Sequence, residues 1–294
     1  MYQQIDSNKR KTVILMVIFV IFVLALGWFY GIFTDTGYLG LGIAGGLSLV
    51  MTATSYFAGD KIALASAGAK QISKEDNPYV YRMVENLCIT AGLPLPKIHI
   101  IADQNINAFA TGRDPKHASV AVTQGAIDKL ENEELEGVIA HELSHIKNYD
   151  IRIMMIVIVL VGIIALISDW LLRGFIWNKS DNNKGRLGMI LIIAGIILAI
   201  LSPLIAKIIQ LAISRKREFL ADADGSLLTR YPAGLANALE KIALANKEPL
   251  QKANNATAHL YIANPFGATR KFLSGLFSTH PPIEERIIKL RQMA

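Results

Sequence analysis

Apolar positions in this chain gather into four long runs separated by stretches of mixed character. Residues 13–33 carry no charged side chain, which is enough helix to cross a hydrocarbon core of about 30 Å. Trp28, Phe29 and Tyr30 lie near the far end of this run, where aromatic rings settle at a membrane interface. After Thr34-Asp35-Thr36 a second run, 37–59, is rich in Gly, Ala, Ser and Thr. Small residues let helices approach closely in lipid, and so short a connection predicts a helical hairpin. A third run, 151–172, contains Arg152 and Asp169; a fourth, 187–213, contains Pro203 and Lys207. These two are weaker and predict either a second pair of spans or a hydrophobic hairpin buried in protein.

Between and after the runs the pattern changes. Pro78 to Ala91 has helical spacing, with Gly92 and then Pro94 and Pro96 as stop signals. Lys97 to Ile101 and Ala118 to Val122 are β-type runs, and Asn107 to Gly112 between them fits an edge strand or a loop. Asn132, Glu133 and Glu134 mark a helix start with acids in its first turn. Helices are also expected at 215–223, 232–246 and 283–293, whereas 247–257 is polar and reads as a mobile loop. The organisation expected is an N-terminal transmembrane hairpin (1–59), a first soluble part (60–150), a second apolar pair (151–213) and a second soluble part (214–294).

Composition sharpens this. Hydrophobic residues make up 52% of the 294 positions and mean hydropathy is positive, above the soluble norm. The net charge is +6, with Lys9-Arg10-Lys11 and Arg215-Lys216-Arg217 beside apolar runs. Such clusters fit cytoplasmic membrane flanks better than a nucleic-acid surface. They place the N-terminus inside and return the chain to the cytoplasm near Asp60. Arg173, Lys179, Lys184 and Arg186 between the later runs go against that tendency if their loop is external. The first run exceeds a signal peptide's apolar region, which points to a retained anchor. Cys88 is the single cysteine, so no internal disulfide forms, and it reads as a small buried apolar residue.

The chemistry centres on His141-Glu-Leu-Ser-His145. Histidines four apart share a helix face and can grip one Zn²⁺, with Glu142 beside them as general base for the attacking water. A catalytic zinc needs three protein ligands and an open position. The contiguous three-histidine pattern would need Gly at 148 and His at 151, where this chain has Asn148 and Ile151. The third ligand therefore comes from His99, His117, His259, His280 or a carboxylate. Glu218 and Asp222 lie four apart on one predicted helix. One of them can ligate while the other accepts the proton of a ligand histidine; alternatively Glu218 pairs with Arg215 or Arg217.

The segments His141-Glu-Leu-Ser-His-Ile-Lys-Asn148-Tyr-Asp150 and Ser214-Arg-Lys-Arg-Glu218-Phe-Leu-Ala-Asp222, with Asn107-Ala-Phe-Ala-Thr-Gly112 and Thr279-His-Pro-Pro282, resemble the HtpX family. These are membrane-bound zinc metalloproteases related to the CAAX prenyl endoprotease. The resemblance spans nearly the whole chain. It implies a mainly α integral membrane protein, with helical hairpins joined to an α+β zincin-like metalloprotease domain holding a small sheet. It implies one Zn²⁺ per subunit on His141, His145 and Glu218, with Asp222 behind them. It also implies that Asn107 and His280 help hold substrate or the tetrahedral intermediate, with Arg286 nearby. The implied substrates are unfolded or damaged membrane proteins, cleaved at the cytoplasmic face of a bacterial inner membrane. A strand around Asn107 suits pairing with an extended peptide, and 247–257 suits a lid. A metal-binding scaffold without activity and a prenyl-protein-type processing protease are the alternatives. A transporter is disfavoured, because neither an intramembrane charge network nor an inverted repeat is visible.

Overall fold

Two long helices, α1 (Tyr2–Phe33) and α2 (Tyr38–Ala67), pair as a hairpin. They belong to a computed structural model that describes residues 2–33, 37–157, 195, 215–245, 261–262 and 281–293. The hairpin closes on small residues: a Cβ at Gly40 would stand 2.7 Å from the carbonyl oxygen of Gly27. Among the described residues, α2 is the helix long and apolar enough to cross a membrane. It continues past the end of its apolar run, through Asp60 and Lys61, to a left-handed stop at Gly68 with φ 67°. The extension has a packing cause. Ala63, Leu64 and Ala67 bury against Ile101, Phe109 and Ala121 of the sheet, so hairpin and sheet are joined through one helix.

The sheet has four strands, β1 (Ala69–Gln71), β2 (Lys97–Ile101), β3 (Ala108–Gly112) and β4 (Ala118–Thr123), in the order β1-β2-β4-β3. β2 and β4 run parallel, while β1 and β3 are antiparallel edge strands. Ile98, Ala108, Ala110, Val120 and Val122 face the main core, and Ile101, Phe109 and Ala121 face α2. Both faces are covered, so β3 and β4 are buried throughout rather than alternating. The segment around Asn107 is thus an edge strand and not a loop.

Local signals account for the helices. Asn77 caps α3 (Pro78–Ala91) by accepting from the Val80 amide, and Gly92 ends it at φ 67°. The short α4 (Gln124–Lys129) starts at a Thr123 cap. A reciprocal pair of bonds between Glu131 and Glu134 caps α5 (Asn132–Lys147), which begins at the predicted Asn132. Then come α6 (Arg215–Thr229), α7 (Pro232–Ala245) and α8 (Ile283–Arg291). Helix α5 lies between β3 on one side and α6 and α7 on the other. The fit depends on glycine: a Cβ at Gly137 would stand 2.7 Å from the Leu235 amide nitrogen, and one at Gly225 3.0 Å from that of His141.

The metal helix does not run straight on into the third apolar run. It ends at Lys147, Tyr149 takes φ 60°, and helix resumes over residues 150–157. Met155 and Ile156 then pack against Phe19, Val23 and Ala44 of the hairpin. The expected spans 151–172 and 187–213 otherwise lie outside the described residues, residue 195 excepted, as does the 247–257 loop.

Candidate metal centre

Helix α5 turns His141 and His145 to the same side, one turn apart, against the first turns of α6. There Glu218 meets them. The two Nε2 atoms are 3.2 Å apart. Glu218 Oε2 lies 3.7 Å from His141 Nε2, and its Oε1 lies 3.6 Å from His145 Nε2. All three side chains are buried. An ion held tetrahedrally at the usual ligand distances separates its donors by about 3.3 Å, so the triangle has the right size.

The outer nitrogens strengthen the case. His141 Nδ1 lies 2.9 Å from Asp222 Oδ1, and His145 Nδ1 lies 3.0 Å from Asp150 Oδ2. A carboxylate at Nδ1 keeps the proton there and leaves Nε2 as a bare lone pair. Two such lone pairs facing each other at 3.2 Å repel unless a cation lies between them. The donor set of two imidazoles and a carboxylate is one that suits a catalytic zinc.

Charges behind the ligands are tightly paired. Arg286 is fully buried on α8. Its Nε and Nη2 donate to the two oxygens of Asp222 at 2.9 and 2.7 Å, and its Nη1 donates to the Ile262 carbonyl at 3.1 Å. Burial alone would raise the Asp222 carboxyl, but the Arg286 guanidinium and His141 outweigh it and hold it at about 2. Burial pushes His141 down to about 4, against the pull of Asp222, so the ring is neutral at pH 7. Burial works against the Arg286 charge, yet Asp222, Glu218 and Glu142 hold its pKa above the ordinary arginine value.

The structure therefore brings together His141, His145, Glu218, Asp222 and Arg286. Glu142 follows His141 on α5 and is buried. Asn107 precedes β3 and is also buried; its amide donates to Thr123 Oγ1, and its side-chain oxygen accepts from the Ala108 amide. His280 lies outside the described residues. Arg217 pairs with Asp150, so the expected alternative of a surface Glu218–Arg217 pair is not its arrangement. Sequence reasoning gave Asp150 no role. Its offset of five residues from His145 fits no helical period, and only the positive φ at Tyr149 brings it back to the ring.

The sequence model of peptidase family M48 matches residues 74–294. A protease HtpX homologue from Dictyoglomus turgidum is 47% identical over 297 residues, covering 99% of this chain and 94% of its own. One from Tropheryma whipplei is 45% identical over 295 residues, covering 100% and 98%. Among solved structures, Ste24p of S. mikatae aligns with a TM-score of 0.54 at 18% identity, over 99% of this chain and 67% of that one; this likeness is one of fold. The chain belongs to peptidase family M48, among the HtpX homologues, and is a membrane-bound metalloprotease.

Proposed function

We propose that the protein is a zinc endopeptidase that cleaves unfolded or damaged proteins at the cytoplasmic face of a bacterial inner membrane, in protein quality control. The observation that carries this reading is the buried triangle of His141, His145 and Glu218, with each imidazole backed by its own carboxylate. These three side chains would hold the metal, one per chain. When bound, zinc supplies a Lewis acid that polarises the scissile carbonyl and makes water acidic near neutral pH. Glu142 takes the proton of the attacking water on its carboxylate and delivers it to the leaving nitrogen. Asp222 and Asp150 keep the histidine protons on Nδ1, and Arg286 keeps Asp222 charged. Asn107 and His280 are assigned to holding the substrate carbonyl.

Strand β3 is the assigned substrate rail. Asn107 bonds toward β4, since its carbonyl accepts from the Thr123 amide at 3.0 Å. Alternate residues therefore turn to the outer edge. There the Ala108 carbonyl already accepts from Ile262 at 3.1 Å, and Ala110 faces the same way. Main-chain pairing beside Ala110 tolerates many sequences, which suits clearance of unfolded chains. On this reading residues 1–59 anchor the protein, while 60–150 and 214–294 form the two halves of the protease.

Charge supports the assigned membrane side. Asn8 reaches Asp150, so the metal centre sits at the end of the hairpin that carries Lys9-Arg10-Lys11, the end retained in the cytoplasm. The test is reconstitution in sealed vesicles of known orientation. An unfolded protein should be digested only where the N-terminus is exposed, and Glu218→Gln should lose bound zinc and digestion together. Digestion on the opposite face, or a Glu218→Gln variant that keeps its zinc, would overturn the reading.

A further inference from the structure

We propose that Asn8, near the start of α1, is a positioning residue for the metal centre: together with Arg217 it fixes Asp150, and through Asp150 the ring of His145. This rests on the reading that His145 is a metal ligand.

Asn8 sits in the part of α1 that the sequence marks as a charged flank, beside Lys9-Arg10-Lys11. Lys9 and Arg10 are exposed, but Asn8 is fully buried. A buried amide is costly unless its hydrogen bonds are made, and Asn8 makes them with remote parts of the chain. Its Nδ2 donates to Asp150 Oδ1 at 2.7 Å and to the Asn148 carbonyl at 2.8 Å, and its Oδ1 accepts from Arg217 Nη1. Arg217 also pairs with Asp150 Oδ1. One carboxylate oxygen thus carries the Asn8 donor and the ion pair with Arg217, and the other is left aimed at His145 Nδ1, 3.0 Å away.

The backbone does not fix Asp150 by itself. It opens a new helical segment immediately after Tyr149, whose φ of 60° breaks α5. The Asn148 carbonyl at the end of α5 is one of the acceptors that a helix leaves without an internal partner, and Asn8 fills it. A single side chain of the N-terminal helix therefore ties down both the end of the metal helix and the carboxylate behind its second histidine. Arg217 stands next to Glu218 on α6, so the same cluster joins both halves of the ligand set to α1.

The experiment uses the full chain in nanodiscs. Zn²⁺ affinity is measured by competition with a chelator of known affinity, and the melting temperature of the metal-free protein is measured alongside. His145→Ala reports whether the ligand reading holds. Asp150→Ala should weaken Zn²⁺ binding about 10- to 100-fold, the usual effect of removing a ligand's hydrogen-bond partner, and Asn8→Ala about tenfold. Lys9→Ala, which removes only a cation lying 5.0 Å over the Tyr149 ring, should leave affinity unchanged. In an Asp150→Ala background Asn8→Ala should cost clearly less affinity than in the parent, since only the Asn148 contact is then left to lose. The proposal fails if Asn8→Ala lowers only the melting temperature, or if it weakens binding equally in both backgrounds. If His145→Ala keeps full affinity, the ligand reading falls with it, and that outcome is distinguishable from a failure of Asn8 alone.

Discussion

Replacing Arg286 with methionine removes the guanidinium that meets Asp222 and leaves a carboxylate at 2% exposure which, among the described side chains, pairs with His141 alone. Two figures bound the cost. Holding Asp222 at about 2 instead of 3.8 corresponds to about 2 kcal/mol, a lower limit. Breaking a buried pair by removing one partner costs about 3–5 kcal/mol. For a folded unit of roughly 150–250 residues each kcal/mol moves the melting temperature by about 2–4 °C, so Arg286→Met should lower it by about 4–20 °C. The assay is thermal unfolding of the metal-free protein in detergent at a fixed scan rate. Asp222→Asn removes the charge but can still accept from His141, so adding Arg286→Met to it should cost less than half as much. The sign of the pH dependence is also determined. The native Asp222 contribution is complete above pH 3.8 and lost as pH falls through about 2. In the variant burial raises the carboxyl, so the gap between the two proteins should narrow toward low pH. A shift under 2 °C, or equal costs in both backgrounds, would refute the reasoning.

Further predictions follow from the same geometry. His141 is lowered to about 4 from 6.5, so the unfolded chain binds its proton first. The metal-free protein should therefore lose about 3 kcal/mol between pH 6.5 and pH 4, and a pH series of melting curves should be flatter for His141→Gln. Gly225→Ala puts a Cβ 3.0 Å from the His141 amide nitrogen. It should push α6 from α5 at a cost of about 1–3 kcal/mol and weaken Zn²⁺ binding in a chelator titration, because Glu218 rides on α6. Gly112 has φ 139° and a Cβ there would meet backbone at 2.8 Å. Gly112→Ala should distort the end of β3 and cut peptide hydrolysis while zinc content stays at one per chain.

Some of this was visible in the sequence and some was not, for physical reasons. Helix α3 was fully legible because its ends are set by neighbours, Asn77 with Pro78 at the start and Gly92 at the stop. The pairing of Glu218 with Asp222 on one face follows from helical spacing alone. Which histidine atoms they meet depends on α6 packing against α5, and no spacing encodes that. Strand β1, three residues long, and α4, six residues long, are too short for a period to register. Helix α2 outlasts the apolar run that ends at Gly59, because Ala63, Leu64 and Ala67 have the sheet to bury against, and hydropathy does not register that packing. No sequence spacing links Asp150 to His145 or Asn8 to Asp150, because a turn at Tyr149 makes the first contact and the second spans 142 residues.

The central claim is that His141, His145 and Glu218 hold one metal on which Glu142 performs proton transfer. Its most direct test is the Glu142→Gln protein, loaded with Zn²⁺ and compared with the parent for metal content and for digestion of an unfolded protein. The account predicts one zinc per chain in both, rapid digestion by the parent and a rate reduced at least a thousandfold, about 4 kcal/mol of barrier, in the variant. Digestion by the variant at the parental rate, or loss of its zinc, would contradict it.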